Sequence, residues 1–387
     1  MSTFISVFES GDEAGPVRVA VKDLIDIEGH VTTAGSQALA AVAKPAWEDA
    51  ACLHGVRAAE RRGEVRIIGK TNLDEFACAA TGINAYFGTP RNPVDERLIP
   101  GGSSSGSAVA VASGLADIAI GTDTGGSVRI PAAACGVAGL KTTHGRVAVR
   151  GTYPLSPTLD TIGPIARRVD QLAQGLALLD PRFVETRSEI TRIGRLRFPE
   201  SETEIDRAVD AALALSGLSV EDVSIDGWRE AHYVTFVLLT AEGWIVNRSH
   251  LEQRSDLVSA AAIATLSRGA SVSERDLIAA HRYRWEWCAR LDKLFARYDL
   301  LVSPTLSTLP PPVEDADQID WPTFVRTMPV NLAGVPALAM PVPLLGSKLP
   351  ASLQAIAPHW AESTLLTFGR HLEELILAEF GPDLQGP

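Results

Sequence analysis

Two stretches rich in glycine and serine carry the hydroxyl groups in this sequence that are best suited to chemistry. The first, PGGSSSGSAVAVASGL, starts at Pro100, and the second, GTDTGGSVRIP, starts at Gly121. In the second stretch Ser127 follows Gly125 and Gly126, whose missing Cβ atoms let the main chain adopt unusual dihedral angles close to a bound molecule. A serine beside unpaired backbone N–H groups combines a nucleophile with an oxyanion hole. The pattern favours acyl transfer through Ser127, against the common alternative that such a serine only stabilises a turn.

Flexible linkers and phosphate-binding loops are also rich in glycine, and neither fits here. A linker is excluded because the segments that follow, SAVAVASGL and LADIAIG, are apolar enough for a buried helix and a buried strand. The nucleotide-binding patterns GxGxxG and GxxxxGK followed by Ser or Thr are absent, and neither loop holds a lysine. Both loops are therefore expected to be rigid parts of a site.

A nucleophilic serine needs a base, and histidine is the usual one. The chain has 8 histidines, but none stands in a context that marks it, and the GxSxG pattern is absent. His144, in KTTHGRV, follows the second loop. A lone histidine after a strand is more often a structural hydrogen-bonding partner, so His144 is the weaker candidate.

A lysine can act as the base if burial keeps its amine uncharged. Lys22 lies in the apolar run VRVAVKDLIDI, where desolvation lowers a lysine pKa by several units from about 10.4. Reaching a pKa of about 7 costs about 4 to 5 kcal/mol, which a large core can supply. An ion pair with Asp23 is the alternative interpretation of Lys22, and Lys70 and Lys141 compete for the role because each ends an apolar run.

The chain also holds a series of ordered motifs. Between residues 17 and 170 they are VKDLID, GKTNLDEF, FGTPRNP, PGGSSSGSA, GTDTGGSVRIPAAACGVAGLKTTHGRV and LDTIGPIAR, and YDLLVSPT and NLAGVPALAMPV follow near the C-terminus. Together they resemble the amidase signature family. The resemblance implies an enzyme that hydrolyses a carboxamide C–N bond through a seryl acyl-enzyme, without a metal or an organic cofactor.

The resemblance further implies a Ser–cisSer–Lys triad with Ser127 as nucleophile, Ser103 as bridging serine and Lys22 as base. A separation of 24 residues between the two serines agrees with the family and selects the first serine of the SSS run. The peptide bond between Gly102 and Ser103 would then be cis. By the same resemblance the other site residues are an oxyanion hole of backbone N–H groups (Thr124, Gly125, Gly126 and Ser127) and supporting residues around the triad (Ser104, Asp123 and Arg129).

Three zones of different composition must position these residues. Residues 17–170 alternate short apolar strands with alanine-rich helices, residues 171–295 are helical in pattern, and residues 296–387 return to strands before an amphipathic helix. We expect one α/β domain over residues 1–387, an α/β/α arrangement with a mixed, mostly parallel central sheet covered by helices, as in the amidase signature fold. The first zone would hold the triad, the second would be a helical variable region that shapes the substrate pocket, and the third would complete the core.

Charge and cysteine content narrow the location and the partners. A net charge of −12 disfavours nucleic acid, and no apolar stretch approaches a membrane span. The 4 cysteines lie far apart without a CxxC pair, which favours free thiols in a reducing compartment over a zinc or redox site. The acidic N-terminus does not fit a signal peptide. We expect a cytoplasmic enzyme that takes a small-molecule amide, with a homodimer left open.

The sequence leaves the substrate open. The segment GINAYFGTP is similar to plant-type indoleacetamide hydrolases, which favours small aryl or alkyl amides, including indoleacetamide-like ones. The alternatives are an amide-hydrolysing subunit of a tRNA-dependent amidotransferase and a non-catalytic homologue that acts as a binding module. The acidic charge disfavours the first alternative, and the presence of all three triad residues disfavours the second. Ester or carbamate cleavage by the same triad stays open.

Overall fold

Strands from both halves of the chain join one sheet in the computed structural model, which describes residues 2–8, 15–318 and 326–381. The strands are β1 (Phe4–Val7), β2 (Val17–Lys22), β3 (Val65–Thr71), β4 (Ile118–Asp123), β5 (Ala138–Lys141), β6 (Thr161–Ala166), β7 (Arg192–Leu196), β8 (Ser219–Val223), β9 (Leu300–Pro304), β10 (Ala337–Val342) and β11 (Ala351–Ile356). Their order across the sheet is β1-β3-β2-β4-β6-β5-β10-β11-β9-β7-β8. The apolar runs in the sequence predicted β2, β3, β4, β9 and β10 correctly.

The sheet is mixed, as expected, but it is not mostly parallel. Among neighbouring strands in the described residues, β3–β2, β2–β4, β9–β7 and β7–β8 are parallel, and the other neighbours are antiparallel. A parallel pair needs a long crossover connection. Since only residues 343–350 join β10 to β11, that connection gives an antiparallel pair. Apolar runs predict that a strand is buried, but they carry no information on its direction.

Helices cover both faces of the sheet. They are α1 (Gln37–Ala40), α2 (His54–Arg61), α3 (Ser105–Ala112), α4 (Arg129–Ala134), α5 (Val169–Leu179), α6 (Thr203–Leu215), α7 (Trp228–Gln253), α8 (Ala260–Leu266), α9 (Glu274–Phe295), α10 (Met328–Ala333) and α11 (Glu362–Phe380). Successive residues of a strand point to opposite faces: Val19 and Val21 of β2 pack in the cluster that contains α2, and Ala20 packs in the cluster that contains α3. The expected α/β/α layering is therefore confirmed for the described residues.

The middle zone, residues 171–295, is not only helical, because it also supplies β7 and β8 at one edge of the sheet. The sequence did not predict these two strands, since RIGRL and SVEDV are short and interrupted by charged residues. In β7 the fully buried Arg195 pairs with Asp206 at 2.5 Å and with Asp210 at 2.9 Å. The charge of Arg195 inside the strand is thus balanced by two carboxylates of α6. A local sequence pattern could not indicate this pairing.

The fold brings the candidate residues to one edge of the sheet. Lys22 ends β2, and Asp123 ends the parallel neighbour β4. The carboxyl ends of parallel strands meet at the same edge, where loops can build a site. The first serine loop leads into α3, all of whose residues are buried, and the second leads into α4. Both loops are therefore fixed between buried elements, as the sequence predicted.

Candidate active site

Lys22 is a fully buried lysine whose amine meets two hydroxyl groups. Its Nζ lies 2.8 Å from Ser103 Oγ and 2.8 Å from Thr122 Oγ1. Burial lowers the pKa of Lys22 to about 7, although the carboxylates of Asp74 and of two further aspartates oppose this shift. An amine with such a pKa is uncharged in a large fraction of molecules at neutral pH, and it can therefore accept a proton from a neighbouring hydroxyl.

The two other lysines considered as the base form ion pairs or hydrogen bonds with groups outside the serine loops. Asp23, its neighbour in the chain, pairs with Lys70 at 2.8 Å, and both side chains are fully buried. Lys141 Nζ donates to the carbonyl groups of Thr142 and Val335. The suggested ion pair between Lys22 and Asp23 is therefore wrong, and the competing lysines do not reach the two serine loops through these contacts.

His144, the histidine considered as a base, is a structural residue. Its backbone N–H donates to the Gly334 carbonyl at 2.9 Å, and its ring forms a hydrogen bond with the backbone of Pro157. Burial lowers the pKa of His144. The contacts of His144 are therefore with loop backbone, as for a structural hydrogen-bonding partner.

The first serine loop has the backbone geometry that the sequence resemblance implied. The Gly102–Ser103 peptide bond is cis. The Gly102 N–H donates to the Ala80 carbonyl at 2.8 Å, and the Asp74 N–H donates to the Ser103 carbonyl at 3.3 Å. A Cβ at residue 102 would overlap the Asp74 carboxylate, so this position requires glycine.

Ser104 joins the two serine loops. Its backbone N–H donates to the Ser127 carbonyl at 3.2 Å, and its Oγ donates to the Thr122 carbonyl at 3.2 Å. These two bonds hold the segment that carries Ser103 against the segment that carries Ser127. The backbone of Ser127 is therefore held beside the segment whose Ser103 hydroxyl is bonded to Lys22.

The second loop is organised around the carboxylate of Asp123. That carboxylate accepts hydrogen bonds from the N–H groups of Gly126 at 2.8 Å and Val128 at 3.2 Å, and from Arg129 at 2.9 and 3.0 Å. Burial by itself would raise the pKa of Asp123, but the Arg129 guanidinium holds it well below its usual range. Arg129 also donates to Gln354 and to a neighbouring asparagine of α10, each at 2.6 Å. Asp123 and Arg129 thus hold the second loop in place.

Replacing Arg129 by methionine is expected to lower the free energy of unfolding by about 3 to 5 kcal/mol, because it leaves a buried carboxylate without its cation. Urea unfolding at pH 7 followed by circular dichroism measures the effect. The surface pair Arg62–Glu64 provides the control, since both side chains are more than half exposed and Arg62→Met should leave the midpoint unchanged. Equal midpoints for Arg129→Met and the wild type would contradict the structural role of the pair.

The expected oxyanion hole needs one correction. Thr124, Gly125 and Ser127 line the pocket, but Gly126 does not, because its N–H is bonded to Asp123. Gly126 has φ +131°, and a Cβ there would overlap Thr327 Oγ1. Gly126 therefore shapes the loop, and the other three residues are the ones that line the pocket.

Ser127 is 7% exposed and opens into a small pocket. The space between the lining atoms is about 350 Å³, including the part that is open to solvent. The described lining residues are Ala77, Cys78, Ala79, Ala80, Thr124, Gly125, Ser127, Ile130, Leu155, Leu239 and Met328. Of these only Leu239 comes from residues 171–295, so within the described chain the middle zone shapes the pocket less than expected.

Two residues at this site were not predicted from the sequence. Thr122 is the second hydroxyl bonded to Lys22, and Asp74 is a fully buried carboxyl whose pKa burial raises to about 6, against its hydrogen bonds from Gly82 and Thr81. Asp74 lies in the motif GKTNLDEF, for which the sequence suggested no role beyond the family resemblance. Nothing in the sequence marks Thr122, because only the pairing of β2 with β4 brings it to Lys22.

Membrane spans and metal clusters are both absent from the described part of the chain. No helix among residues 2–8, 15–318 and 326–381 is long and apolar enough to cross a membrane. Within the same residues no group of three His, Cys, Asp or Glu side chains is arranged to hold a metal ion.

Comparison with known proteins agrees with the geometry. The Amidase family matches residues 15–366. A glutamyl-tRNA(Gln) amidotransferase subunit of Archaeoglobus fulgidus is 32% identical, over 92% of this chain and 86% of that protein. AtzE of Pseudomonas sp., a subunit of 1-carboxybiuret hydrolase, is 33% identical, over 93% of this chain and 84% of that protein. A solved structure from a vestigial complex related to the origins of an s-triazine catabolic enzyme has a TM-score of 0.85 and 31% identity, covering 94% of this chain and 85% of that one. The family match spans the lysine strand and both serine loops, and the chain therefore belongs to the amidase family that its motifs predicted.

Proposed function

We propose that this chain hydrolyses the C–N bond of small carboxamides through an acyl-enzyme on Ser127, with Ser103 and Lys22 as the proton relay. The observation that carries the proposal is the buried amine of Lys22, 2.8 Å from the Ser103 hydroxyl at the base of the Ser127 loop. Amide hydrolysis is also supported by the relative named as a 1-carboxybiuret hydrolase component. Amide-cleaving chemistry needs both a nucleophile and a proton donor for the leaving nitrogen, and this cluster holds groups for both roles.

In the proposed acylation step, the Ser127 Oγ forms a bond to the carbonyl carbon while its proton passes to Ser103 and the Ser103 proton passes to neutral Lys22. The negative charge on the carbonyl oxygen is stabilised by the N–H groups of Thr124, Gly125 and Ser127. Ser103 then donates a proton to the amide nitrogen and recovers one from Lys22. The C–N bond breaks, and ammonia or an amine leaves.

In the proposed deacylation step, water takes the place of the leaving group. Its proton passes through Ser103 to Lys22 as its oxygen attacks the acyl carbon. Collapse of the second tetrahedral intermediate breaks the bond to Ser127 Oγ, which regains its proton through the same relay. The carboxylic acid is released, and Lys22 returns to its uncharged form.

The pH dependence follows from the Lys22 pKa of about 7. Below this pKa the amine is protonated and cannot accept the relayed proton, so kcat/KM is expected to fall about tenfold per pH unit on the acidic side. Initial rates of ammonia release between pH 5 and 9 measure this acidic limb of the pH–rate profile. A rate that stays flat down to about pH 5 would exclude a lysine base.

Two checks make this profile specific. Circular dichroism over the same pH range separates loss of activity from acid unfolding. The Asp74 carboxylate raises the pKa of Lys22, so Asp74→Asn should move the acidic limb to lower pH. A limb that moves to higher pH in this variant would contradict the assignment of the limb to Lys22.

A second candidate function is amide hydrolysis within a tRNA-dependent amidotransferase, favoured by the relative named as a component of such an enzyme. Glutamine carries a charged ammonium and a charged carboxylate, and none of the described pocket residues is charged. We therefore place this function second. Ammonia release from glutamine at a rate equal to that from neutral amides would reverse the order. A non-catalytic binding module ranks last, because all three groups of the relay are present.

Several wider expectations stay part of the proposal. Strands on both sides of residues 171–295 share one sheet, which supports a single domain over residues 1–387 with its signature core at 17–170. The free thiols of Cys52, Cys78 and Cys135 are buried, which suits a reducing cytoplasm. A small-molecule amide, aryl or alkyl and including indoleacetamide-like ones, remains the proposed substrate. Light scattering would decide whether the chain forms a homodimer.

A further inference from the structure

The pocket beside Ser127 offers a substrate almost no polar surface. Outside the Thr124–Ser127 loop, every described lining residue is an apolar side chain or a thiol: Ala77, Cys78, Ala79, Ala80, Ile130, Leu155, Leu239 and Met328. The polar atoms of the loop itself are the N–H groups and the hydroxyl that the reaction would use. An acyl group in this pocket therefore contacts carbon and sulfur atoms.

The few polar side chains near the pocket already have partners. The Cys78 thiol donates to the Glu75 carbonyl at 3.1 Å, and burial raises its pKa, so it stays uncharged. The Thr124 hydroxyl donates to Asp160 at 2.6 Å. The nearby cation Arg129 is held by Asp123. None of the described lining residues is charged, so a charged acyl group would be buried against them without a counter-charge, which is strongly unfavourable.

Two side chains of the pocket wall pack against the loop at Gly125. A Cβ placed on Gly125 would lie 3.2 Å from Met328 Cε and 3.8 Å from Leu239 Cδ1. Both side chains therefore pack directly over the backbone that would bind the oxyanion. Leu239 lies on α7 and Met328 on α10, and each is nearly completely buried. Because both side chains also line the pocket that holds Ser127, an acyl chain in this pocket would meet them.

We infer that this site takes amides of small, uncharged, apolar acyl groups, and that Leu239 and Met328 determine how long the acyl chain can be. The inference rests on the proposed function and narrows it to a substrate class. It also assigns the size limit to helices that contribute nothing to the relay.

The charge requirement is tested with two amides of the same shape. In 4-methylpentanamide the acyl chain ends in an isopropyl group, and in succinamate it ends in a carboxylate of similar size. We expect kcat/KM for 4-methylpentanamide to exceed that for succinamate by at least about 100-fold, since the carboxylate would lose its hydration without gaining a partner. Equal values, or a preference for succinamate, would overturn the inference.

The size limit is tested with straight-chain primary amides and two matched variants. Leu239→Ala removes carbon from the pocket wall, and Leu238→Ala removes the same atoms from its neighbour on α7, which is buried but does not line the pocket. Each buried methylene changes an equilibrium about fourfold. The ratio of kcat/KM for hexanamide to that for propanamide should therefore rise at least about tenfold in Leu239→Ala and in Met328→Ala. It should stay unchanged in Leu238→Ala, and a ratio that moves equally in both leucine variants would overturn the assignment.

A labelling experiment separates failure of this inference from failure of the proposed function. Alkyl fluorophosphonates of increasing chain length react with a nucleophilic serine, and mass spectrometry locates the label. If Ser127 is labelled but no amide is hydrolysed, the proposed function fails, and the labelling rates still decide the size limit in wild type and Leu239→Ala. If amides are hydrolysed and long chains label wild type as fast as short ones, only the size limit fails.

Discussion

Ser127→Ala is expected to abolish amide hydrolysis, with a loss of at least about 10⁴-fold in kcat, while the protein keeps its fold. The variant removes the only atom that can form the acyl-enzyme in the proposed mechanism, and loss of a nucleophile is among the largest single effects known in enzymes. The fold should survive because Ser127 faces the pocket, where only a hydroxyl is lost. Ammonia release under saturating amide measures the activity, and thermal unfolding measures the fold.

An exposed serine serves as the control. Ser113 directly follows α3 and is exposed, and Ser113→Ala should leave kcat within about a factor of two, as for other surface substitutions. The acyl-enzyme gives a second readout, since a slowly hydrolysed ester should add its acyl mass to wild type and not to Ser127→Ala. Retention of more than about one part in a hundred of the wild-type activity by Ser127→Ala would remove this serine from the mechanism.

Lys22→Met is expected to reduce amide hydrolysis by about 10³-fold or more and to reduce hydrolysis of p-nitrophenyl esters much less. The two substrates differ in their leaving groups. An amide nitrogen must receive a proton before it leaves, whereas p-nitrophenolate leaves without one. Loss of the base therefore affects both activation of Ser127 and protonation of the leaving group for amides. Parallel measurements of kcat/KM on an amide and a p-nitrophenyl ester with the same acyl group reveal the difference.

Lys141 offers a matched control for Lys22. It is also fully buried, and desolvation lowers its pKa to about 7 as well, but its Nζ donates to two backbone carbonyl groups. Lys141→Met should therefore lower the stability while preserving the ratio between amide and ester rates. If Lys141→Met changes this ratio as much as Lys22→Met does, a buried lysine is needed for the fold alone, and the relay is refuted.

The lowered pKa of Lys22, which the proposed activity requires, also lowers the stability of the folded protein. The pKa of Lys22 falls from 10.5 to about 7 on folding, so the folded state binds the proton less tightly than the unfolded state. The resulting penalty on stability is fully present below about pH 7, decreases as the pH rises, and disappears above about pH 10.5. Lys22→Met, which keeps the volume without the charge, should unfold at a higher urea concentration than wild type at pH 7. A lower midpoint would show that the hydrogen bonds to Ser103 and Thr122 outweigh the cost of burying the amine.

The order of residue types in the chain determined much of this protein by itself. The sequence predicted a backbone requirement for glycine at 126, and the structure supplies the reason, the Thr327 hydroxyl where a Cβ would lie. The buried character of SAVAVA followed from its lack of any polar face, and that of VRVAVK from its high content of valine, so α3 and β2 could be predicted. The family resemblance added the pairing of Ser103 with Lys22, which the hydrogen bond of 2.8 Å agrees with.

Only the tertiary structure decided between groups that look alike in the sequence. Lys22, Lys70 and Lys141 all end apolar runs, and the register of the strands sends one to Ser103, one to Asp23 and one to backbone carbonyl groups. Strand direction, the edge strands β7 and β8, and the wall made by Leu239 and Met328 likewise depend on contacts between residues far apart in the chain. Local patterns report how deeply a residue is buried, but its partner is selected by long-range packing, which a local pattern does not encode.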